Sequence, residues 1–289
     1  MATVIKALLV SSRPLSWINT AFPFAAAYLT TTREIDVVVV VGTVFFLIPY
    51  NLAMYGINDV FDYESDLANP RKGGVEGALL APSLHRATLW AAALTTAPFL
   101  VFLVLVGHPL SWLVLAVSMF AVYAYSAKGL RFKEKPVLDS VTSSTHFVSP
   151  AVYGLVLAGA NFTPGLWLLL GAFFLWGMAS HAFGAVQDVT ADREGGIASI
   201  ATVFGAATTV RLSIAAFSAA GILLLFADWP AKLAAVLALP YVLACLPFAS
   251  VADNDAERAN RGWKKFLVLN FISGFLVTML LIWWWAIAD

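Results

Sequence analysis

Four polar side chains with metal-binding chemistry lie within nine residues of this chain. On an α-helix, Asn58, Asp59, Asp62 and Asp66 fall within one arc of about 100°, whereas Glu64 points away from that arc. Carboxylates crowded on one face repel each other strongly where the dielectric constant is low, so this arrangement requires bound cations. Hard oxygen ligands select Mg²⁺, Mn²⁺ or Ca²⁺ rather than zinc. The spacing therefore predicts a divalent-metal site.

A second acidic pair follows much later in the chain. Asp188 and Asp192 are four residues apart, which places both carboxylates on one helix face, and Gly195-Gly196 is expected to end that helix. Solvated charge at a helix end is the simpler interpretation of any one of these acids. Mg²⁺ commonly bridges carboxylates to substrate phosphates. Both clusters together predict a diphosphate, held between them by metals, on a substrate with an apolar tail.

Basic residues near these clusters are candidates for diphosphate binding. Arg71 and Lys72 follow the first cluster, and Lys128 and Arg131 follow a later apolar run. Their positive charge could balance the charge that the metals leave on the diphosphate. Membrane topology and attraction to lipid head groups are the alternative explanation for each of them.

The composition indicates that these side chains are positioned by membrane helices. Hydrophobic residues make up 61% of the chain and charged residues 12%, against roughly 45–50% and about 25% in soluble domains. The equal numbers of basic and acidic residues, 17 each, argue against a nucleic-acid partner. Apolar runs predict an all-α polytopic membrane protein with about nine transmembrane helices, near 15–31, 37–58, 87–106, 110–126, 138–160, 164–186, 208–227, 232–250 and 266–287.

The distribution of Lys and Arg predicts the orientation of these helices. A cytoplasmic N-terminus places every Lys and Arg on the cytoplasmic side except Arg33 and Lys232. Both acidic clusters then end their helices on that side, which predicts a cytoplasmic-side active site. A weak similarity between 58–64 and 187–194 suggests two related halves.

The predicted organisation is one integral-membrane domain over 1–289. Its two halves cover about 15–126 and 138–250, and a ninth helix follows at 266–287.

Three short elements resemble the UbiA superfamily of intramembrane prenyltransferases. The stretch from Asn58 to Asp66 resembles the NDxxDxxxD signature of that family, and Asp188 to Asp192 resembles its second, DxxxD-type motif. Tyr125-Ser126-Ala127-Lys128 is similar to its YxxK-like element. One departure is Ala191, where many members have Gly, and a helix accepts either residue.

The resemblance implies a mechanism and assigns residues to it. Two Mg²⁺ ions would hold an allylic diphosphate and neutralise the leaving group, and an acceptor would capture the allylic cation. The implied metal ligands are the polar residues of both motifs, and the implied catalytic residues include Tyr125, whose ring could steady a cation. The ligand set is Asn58, Asp59, Asp62, Asp66, Asp188 and Asp192, and the catalytic set is Asp62, Asp188 and Tyr125.

Two further segments indicate a branch of the family. Arg13 to Thr20 and Asp62 to Gly74 look most like the lycopene elongases, which add dimethylallyl units to lycopene and give fifty-carbon carotenoids. The expected partners are therefore an allylic diphosphate, a lipophilic acceptor, membrane lipid and other carotenoid-pathway enzymes. A quinone or other aromatic acceptor is the alternative within the family. A membrane cation transporter is the alternative from another class, although transporters more often carry such carboxylates at mid-bilayer.

Two histidines and one further acid complete the set of candidates. His146 and His181 lie in the predicted fifth and sixth spans, where either could take a proton from a carbocation. A hydrogen-bonded histidine within a helix bundle is the simpler interpretation of both. Asp139 could orient Lys128 or Arg131, or reach the site itself.

Overall fold

The described part of the chain is helical throughout. The structure, a computed structural model, describes residues 2–68 and 79–287, and these residues contain helices and no strands. Inside a bilayer every backbone polar group needs an internal partner, and an α-helix supplies one within each segment. Each of the nine predicted apolar runs coincides with a helical segment. The predicted all-α membrane class is confirmed.

Seven helical segments of the described residues are long and apolar enough to cross a membrane. Two predicted spans, helices Ile18–Thr32 and Leu138–Leu157, are not among these seven. The first has 15 residues, and the second carries Asp, Ser, Thr and His side chains along its first half. The seven segments are Val37–Phe61, Pro82–Val106, Pro109–Ser126, Pro164–Val186, Ala206–Leu225, Ala231–Phe248 and Asp253–Ile287.

The chain forms two compact units, and the first comprises Met1–Phe132 and His146–Ala160. Its core is a cluster of fully buried rings that includes Phe24, Phe46 and Tyr153, with 5.1 Å between the ring centroids of Phe24 and Phe46. Its helices are α1 (Ala2–Ser11), α2 (Ile18–Thr32), α3 (Val37–Leu47), α4 (Pro49–Phe61), α5 (Tyr63–Ala68), α6 (Pro82–Val106), α7 (Pro109–Ser126) and the later part of α8 (Leu138–Leu157).

The second unit comprises Lys133–Thr145 and Asn161–Asp289. Buried rings again form its core, with 5.2 Å between the centroids of Phe217 and Tyr241. Besides the first residues of α8, its α-helices are α9 (Pro164–Val186), α10 (Val189–Glu194), α11 (Ile200–Phe204), α12 (Ala206–Leu225), α13 (Ala238–Cys245) and α14 (Asn260–Ile287). Short 3₁₀ segments flank α13, so the predicted continuous helix at 232–250 is divided.

One close contact in the second unit joins α8 to α9. The Ser144 hydroxyl of α8 donates a hydrogen bond of 2.7 Å to the Phe174 carbonyl oxygen of α9. A Cβ atom on Gly177 would overlap that Ser144 side chain. The glycine therefore lets α9 approach the first part of α8 and fixes which residues of the two helices face each other.

Candidate active site

The first acidic motif spans a break between two helices. α4 ends at Phe61, Asp62 lies at a bend, and α5 begins at Tyr63. The Asp62 N–H still donates to the Asn58 carbonyl oxygen at 2.9 Å, and the Asp66 N–H donates to that of Asp62 at 2.8 Å. The structure differs from the predicted single helix in one respect. The helix is interrupted at Asp62, although helical hydrogen bonds continue across the interruption.

The break preserves the predicted separation of the acidic side chains. Asp62 and Asp66 are buried, with 4% and 6% of their surfaces exposed, whereas Glu64 is exposed. The Asn58 side-chain amide donates to Asp62 Oδ2 at 2.6 Å and to the Ser126 hydroxyl at 2.9 Å. Ser126 ends α7, so the YxxK-like element contacts the first motif directly. The spacing of the YxxK-like element did not predict this contact of Ser126.

Arg131 brings positive charge to this cluster. Its guanidinium lies 3.8 Å from Asp62 Oδ1 and donates to the Phe61 carbonyl oxygen at 3.4 Å. The turn after α7 reaches this position through left-handed backbone at Gly129, with φ 92°, and at Arg131 itself, with φ 41°. Positive φ is uncommon outside glycine, so Arg131 is held under strain at the position where it meets Asp62. Lys128, in the same turn, is exposed.

Asp59 has partners of a different kind. Its side chain is fully buried, its Oδ1 lies 2.5 Å from Arg13 Nη2, and its Oδ2 accepts a 2.6 Å hydrogen bond from the Ser11 hydroxyl. Arg13 also stacks over the Tyr55 ring, with 4.7 Å from its guanidinium carbon to the ring centroid. Arg13 has left-handed backbone, with φ 52°. Both oxygens of Asp59 are thus engaged by groups at the end of α1.

Tyr125, the predicted catalytic tyrosine, is only partly buried. Tyr125 meets the His146 ring edge-on, with 5.2 Å between ring centroids. It precedes Ser126, the residue of α7 that contacts Asn58. Arg71 and Lys72, the other predicted diphosphate-binding residues, lie outside the described residues.

The second acidic motif lies around the start of α10. Asp188 precedes this helix, Asp192 occupies its first turn, and the Asp192 N–H donates to the Asp188 carbonyl oxygen at 2.8 Å. Both acids are partly buried, whereas Glu194 is exposed. α10 ends at Glu194, and Gly196 follows with φ 69°, so the predicted glycine stop is confirmed.

An exposed ion pair lies beside the second motif. Arg193 Nη1 lies 2.6 Å from Asp253 Oδ2, and Asp253 Oδ1 accepts a 2.7 Å hydrogen bond from the Ala206 N–H at the start of α12. Arg193 Nη2 also donates to the Thr202 carbonyl oxygen at 2.9 Å. Buried Gln187, beside Asp188, accepts a 2.5 Å hydrogen bond from the Asn260 side chain.

The donor set of both motifs fits a hard divalent cation. Carboxylate and amide oxygens are the ligands that Mg²⁺ prefers, and Mg²⁺ usually keeps several waters and takes further ligands from substrate phosphates. Within residues 2–68 and 79–287, no three His, Cys, Asp or Glu side chains form a metal-binding group by themselves. The candidate oxygens are those of Asn58, Asp62 and Asp66 in the first motif and of Asp188 and Asp192 in the second.

Comparisons with known proteins agree with these motifs. Residues 20–275 match the model of the UbiA prenyltransferase family. A lycopene elongase/hydratase of Corynebacterium glutamicum is 54% identical over 98% of both chains. A C(50) beta-cyclic carotenoids biosynthesis protein of Dietzia sp. is 60% identical over 97% of this chain, which spans 65% of that relative's length.

A solved structure shares the fold. A UbiA homolog from Archaeoglobus fulgidus, bound to DMAPP and Mg²⁺, superposes with a TM-score of 0.66 at 20% identity. The match covers 92% of this chain and 98% of that one. The shared fold therefore extends over nearly the whole of both chains.

Proposed function

Because this chain belongs to the UbiA prenyltransferase family, we propose that it transfers a dimethylallyl group from an allylic diphosphate to lycopene, in the biosynthesis of fifty-carbon carotenoids. The observation that carries this assignment is the 54% identity, over 98% of both chains, with a lycopene elongase/hydratase. The site agrees with it, because its charged groups cluster in two short motifs at helix ends while the helices themselves are apolar.

We propose that Asn58, Asp62 and Asp66 contribute metal ligands from the first motif, and Asp188 and Asp192 from the second. Two bound Mg²⁺ ions would stabilise the diphosphate as it departs from the allylic carbon. In this proposal Asp59, the remaining predicted ligand, acts indirectly. Its pairing with Arg13 and Ser11 anchors α4 and so holds its neighbour Asn58 in place.

Basic side chains would balance the charge of the departing diphosphate. Arg131 is suited to this role, since it already lies beside Asp62. Lys128 follows in the same turn, and we propose Arg71 and Lys72 as further contacts. Tyr125 would face the developing allylic cation with its ring, because a π face attracts positive charge.

The proposed enzyme is oriented with its N-terminus in the cytoplasm. The Lys and Arg distribution supports this orientation, since only Arg33 and Lys232 fall on the opposite side. The substrate diphosphate would then be drawn from the cytoplasm and the acceptor from the membrane. The exposed apolar side chains of α6 and α14, such as Leu105 and Phe275, suit contact with lipid.

The decisive experiment measures product formation in membranes that contain the protein, labelled dimethylallyl diphosphate, lycopene and Mg²⁺. We expect labelled C45 and C50 carotenoids that disappear when the metal is chelated. Asp62→Asn should abolish the product, whereas Glu64→Gln, a matched change at an exposed position of the same motif, should not. Transfer to a quinone precursor but not to lycopene would overturn the acceptor assignment. Full turnover in excess chelator would overturn the metal-dependent mechanism.

A further inference from the structure

We propose that His181 accepts the proton released after prenyl transfer and that Asp139 is its positioning residue. This inference rests on the proposed function and assigns the step that completes it. His181 Nε2 lies 4.0 Å from Asp139 Oδ2, and 19% of the His181 side chain is exposed whereas Asp139 is fully buried.

Asp139 is fixed by donors from two helices. Its Oδ1 accepts hydrogen bonds from the Ser140 N–H at 2.6 Å and from the Ser140 hydroxyl at 3.2 Å. Its Oδ2 accepts a 2.7 Å bond from the Ile200 N–H at the start of α11. These three hydrogen bonds fix the position of the Asp139 carboxyl group beside the imidazole.

The packing of α8 against α9 sets this pairing. Gly177 and Ser144 meet at the close contact described above, and His181 lies one turn beyond Gly177, just as Asp139 lies somewhat more than one turn before Ser144. Because the contact fixes which residues of the two helices face each other, His181 must face Asp139. The pair is thus built into the helix contact and does not depend on a mobile loop.

His181 is also placed at a useful depth relative to the second motif. It precedes Asp188 by seven residues, which is about two helical turns and about 10 Å along the helix axis. Gln187 and Asp188 keep right-handed helical dihedrals after α9 ends, so His181 and Asp188 share one face. A substrate whose diphosphate is held at Asp188 would place its apolar part on the His181 side.

The chemistry requires a proton acceptor. The allylic C–O bond breaks, and an alkene carbon of the acceptor bonds to the allylic carbon, which leaves a tertiary cation on the acceptor. That cation either loses a proton from an adjacent carbon and becomes an alkene, or adds water and loses a proton from oxygen to become an alcohol. In both cases one proton passes to His181, and Asp139 stabilises the resulting imidazolium.

The structure distinguishes His181 from the other histidine candidate. His146 is 3% exposed and packs edge-on against Tyr125, whereas His181 is more exposed and lies beside a fixed carboxylate. A base paired with a carboxylate is the usual arrangement of a catalytic histidine. His146 therefore serves as the matched comparison for His181.

The test compares His181→Gln, Asp139→Asn and His146→Gln with the unmodified protein in membranes that contain dimethylallyl diphosphate, lycopene and Mg²⁺. Diphosphate release and the composition of the carotenoid products are measured separately. For His181→Gln we expect the normal end product to form roughly a hundredfold more slowly, with diphosphate release much less affected and a mixture of alkene isomers and alcohols replacing that product. Asp139→Asn should shift the products in the same direction, and His146→Gln should leave their composition unchanged.

Separate outcomes decide the inference and the proposed function. Unchanged product composition in His181→Gln would overturn the assignment of His181, and so would an equal loss of diphosphate release and of product. A shift in His146→Gln alone would transfer the role to His146. If Asp139→Asn fails to fold, the His181→Gln result still decides the proton acceptor. Failure of the unmodified protein to prenylate lycopene would instead count against the proposed function.

Discussion

Each acidic motif has an ion pair beside it, and the two pairs differ in how far they are buried. Arg13 and Asp59, beside the first motif, have side chains that are 14% and 0% exposed. Arg193 and Asp253, beside the second, are 44% and 39% exposed. A buried pair is expensive to break because the remaining charge is left without compensation, whereas an exposed pair contributes little. The first motif therefore depends on its ion pair, while the second depends mainly on backbone hydrogen bonds such as the one from the Asp192 N–H to the Asp188 carbonyl oxygen.

The largest expected effect is a loss of activity that the two motifs share. Asp62→Ala and Asp188→Ala should both abolish prenyl transfer, since each removes a proposed metal ligand and with it several kcal/mol of transition-state stabilisation. The two regions would then differ in scaffold but not in chemistry. The measurement is product formation at saturating diphosphate, with thermal melting to confirm folding.

Exposed acids in the same motifs provide the controls. Glu64→Ala and Glu194→Ala should both keep most of the activity, because these side chains face solvent. If Glu64→Ala were as inactive as Asp62→Ala, the assignment of the buried face would be wrong. Near-normal activity of both Asp62→Ala and Asp188→Ala would remove the metal-ligand proposal altogether.

The two ion pairs should contribute unequally to the free energy of unfolding. Arg13→Ala should lower the free energy of unfolding by about 3–5 kcal/mol, because it leaves the buried Asp59 carboxylate uncompensated. Arg193→Ala should cost no more than about 1 kcal/mol. Denaturation of both variants in one detergent gives the comparison. Equal losses of unfolding free energy would show that burial does not determine how strongly each ion pair stabilises the protein.

A double variant sharpens this result. Arg13→Gln with Asp59→Asn removes both charges and keeps hydrogen-bonding groups, so it should be more stable than Arg13→Gln alone. Recovery of stability identifies the uncompensated charge as the cause of the loss. If the double variant were the least stable of the set, direct packing of Arg13 on Tyr55 would matter more than its charge.

The ion pairs also illustrate which contacts cannot be predicted from the sequence. Apolar runs locate the helices because a bilayer accepts little else, and the spacing from Asn58 to Asp66 predicts which acids are buried. The bend at Asp62 has no glycine or proline to announce it. It coincides with the contact from Arg131, some seventy residues away, and such a contact is not encoded in local spacing.

The role of Arg13 was missed for the same reason. Its partner Asp59 is separated from it by 46 residues. The one local signal is the Arg13-Pro14 pair, which begins a segment that indicates a family branch. A residue before proline is restricted to extended or turn backbone, so this pair predicts a break before the membrane helix but not the contact between Arg13 and Asp59.

A third carboxylate provides a case of intermediate burial. Asp36 is half-buried at the start of α3, where its Oδ1 accepts a 2.8 Å hydrogen bond from the Val39 N–H and its Oδ2 accepts a 2.8 Å bond from the Tyr28 hydroxyl. Burial raises the pKa of Asp36, but these hydrogen bonds outweigh that effect and hold it below the ordinary aspartate value. Asp36→Ala should cost about 1 kcal/mol at neutral pH, which lies between the losses expected at Arg13 and Arg193.

The sign of its pH dependence follows from the lowered pKa. The stabilisation by Asp36 is fully present above the unfolded pKa of about 3.9 and is lost as the pH falls through the lower folded value. Melting temperatures of the unmodified protein and of Asp36→Ala should therefore converge below that range. Asp36→Asn, which keeps an acceptor for the helix cap, is the control. A constant difference at all pH values would contradict the role of the charge.

The smallest expected effect concerns salt. The stability difference between the unmodified protein and Arg193→Gln should shrink as ionic strength rises, because exposed pairs are screened. The difference for Arg13→Gln should change little over the same range. Both are measured by thermal melting in one detergent at low and high salt. A strong salt dependence at Arg13 would mean that its pair with Asp59 is more accessible to ions than its burial indicates.

The contacts at the end of α1 have a practical consequence for handling the protein. Ser11 and Arg13 reach Asp59, which is adjacent to Asn58 in the first motif. A purification tag or fusion partner that pulls on α1 would therefore act on the first acidic motif. The last helix, Asn260–Ile287, leaves exposed apolar side chains towards its end, among them Phe275, Ile282 and Ile287. Affinity tags and fluorescent reporters should therefore be attached at the C-terminal end. There they leave the contacts of Ser11 and Arg13 with Asp59 undisturbed.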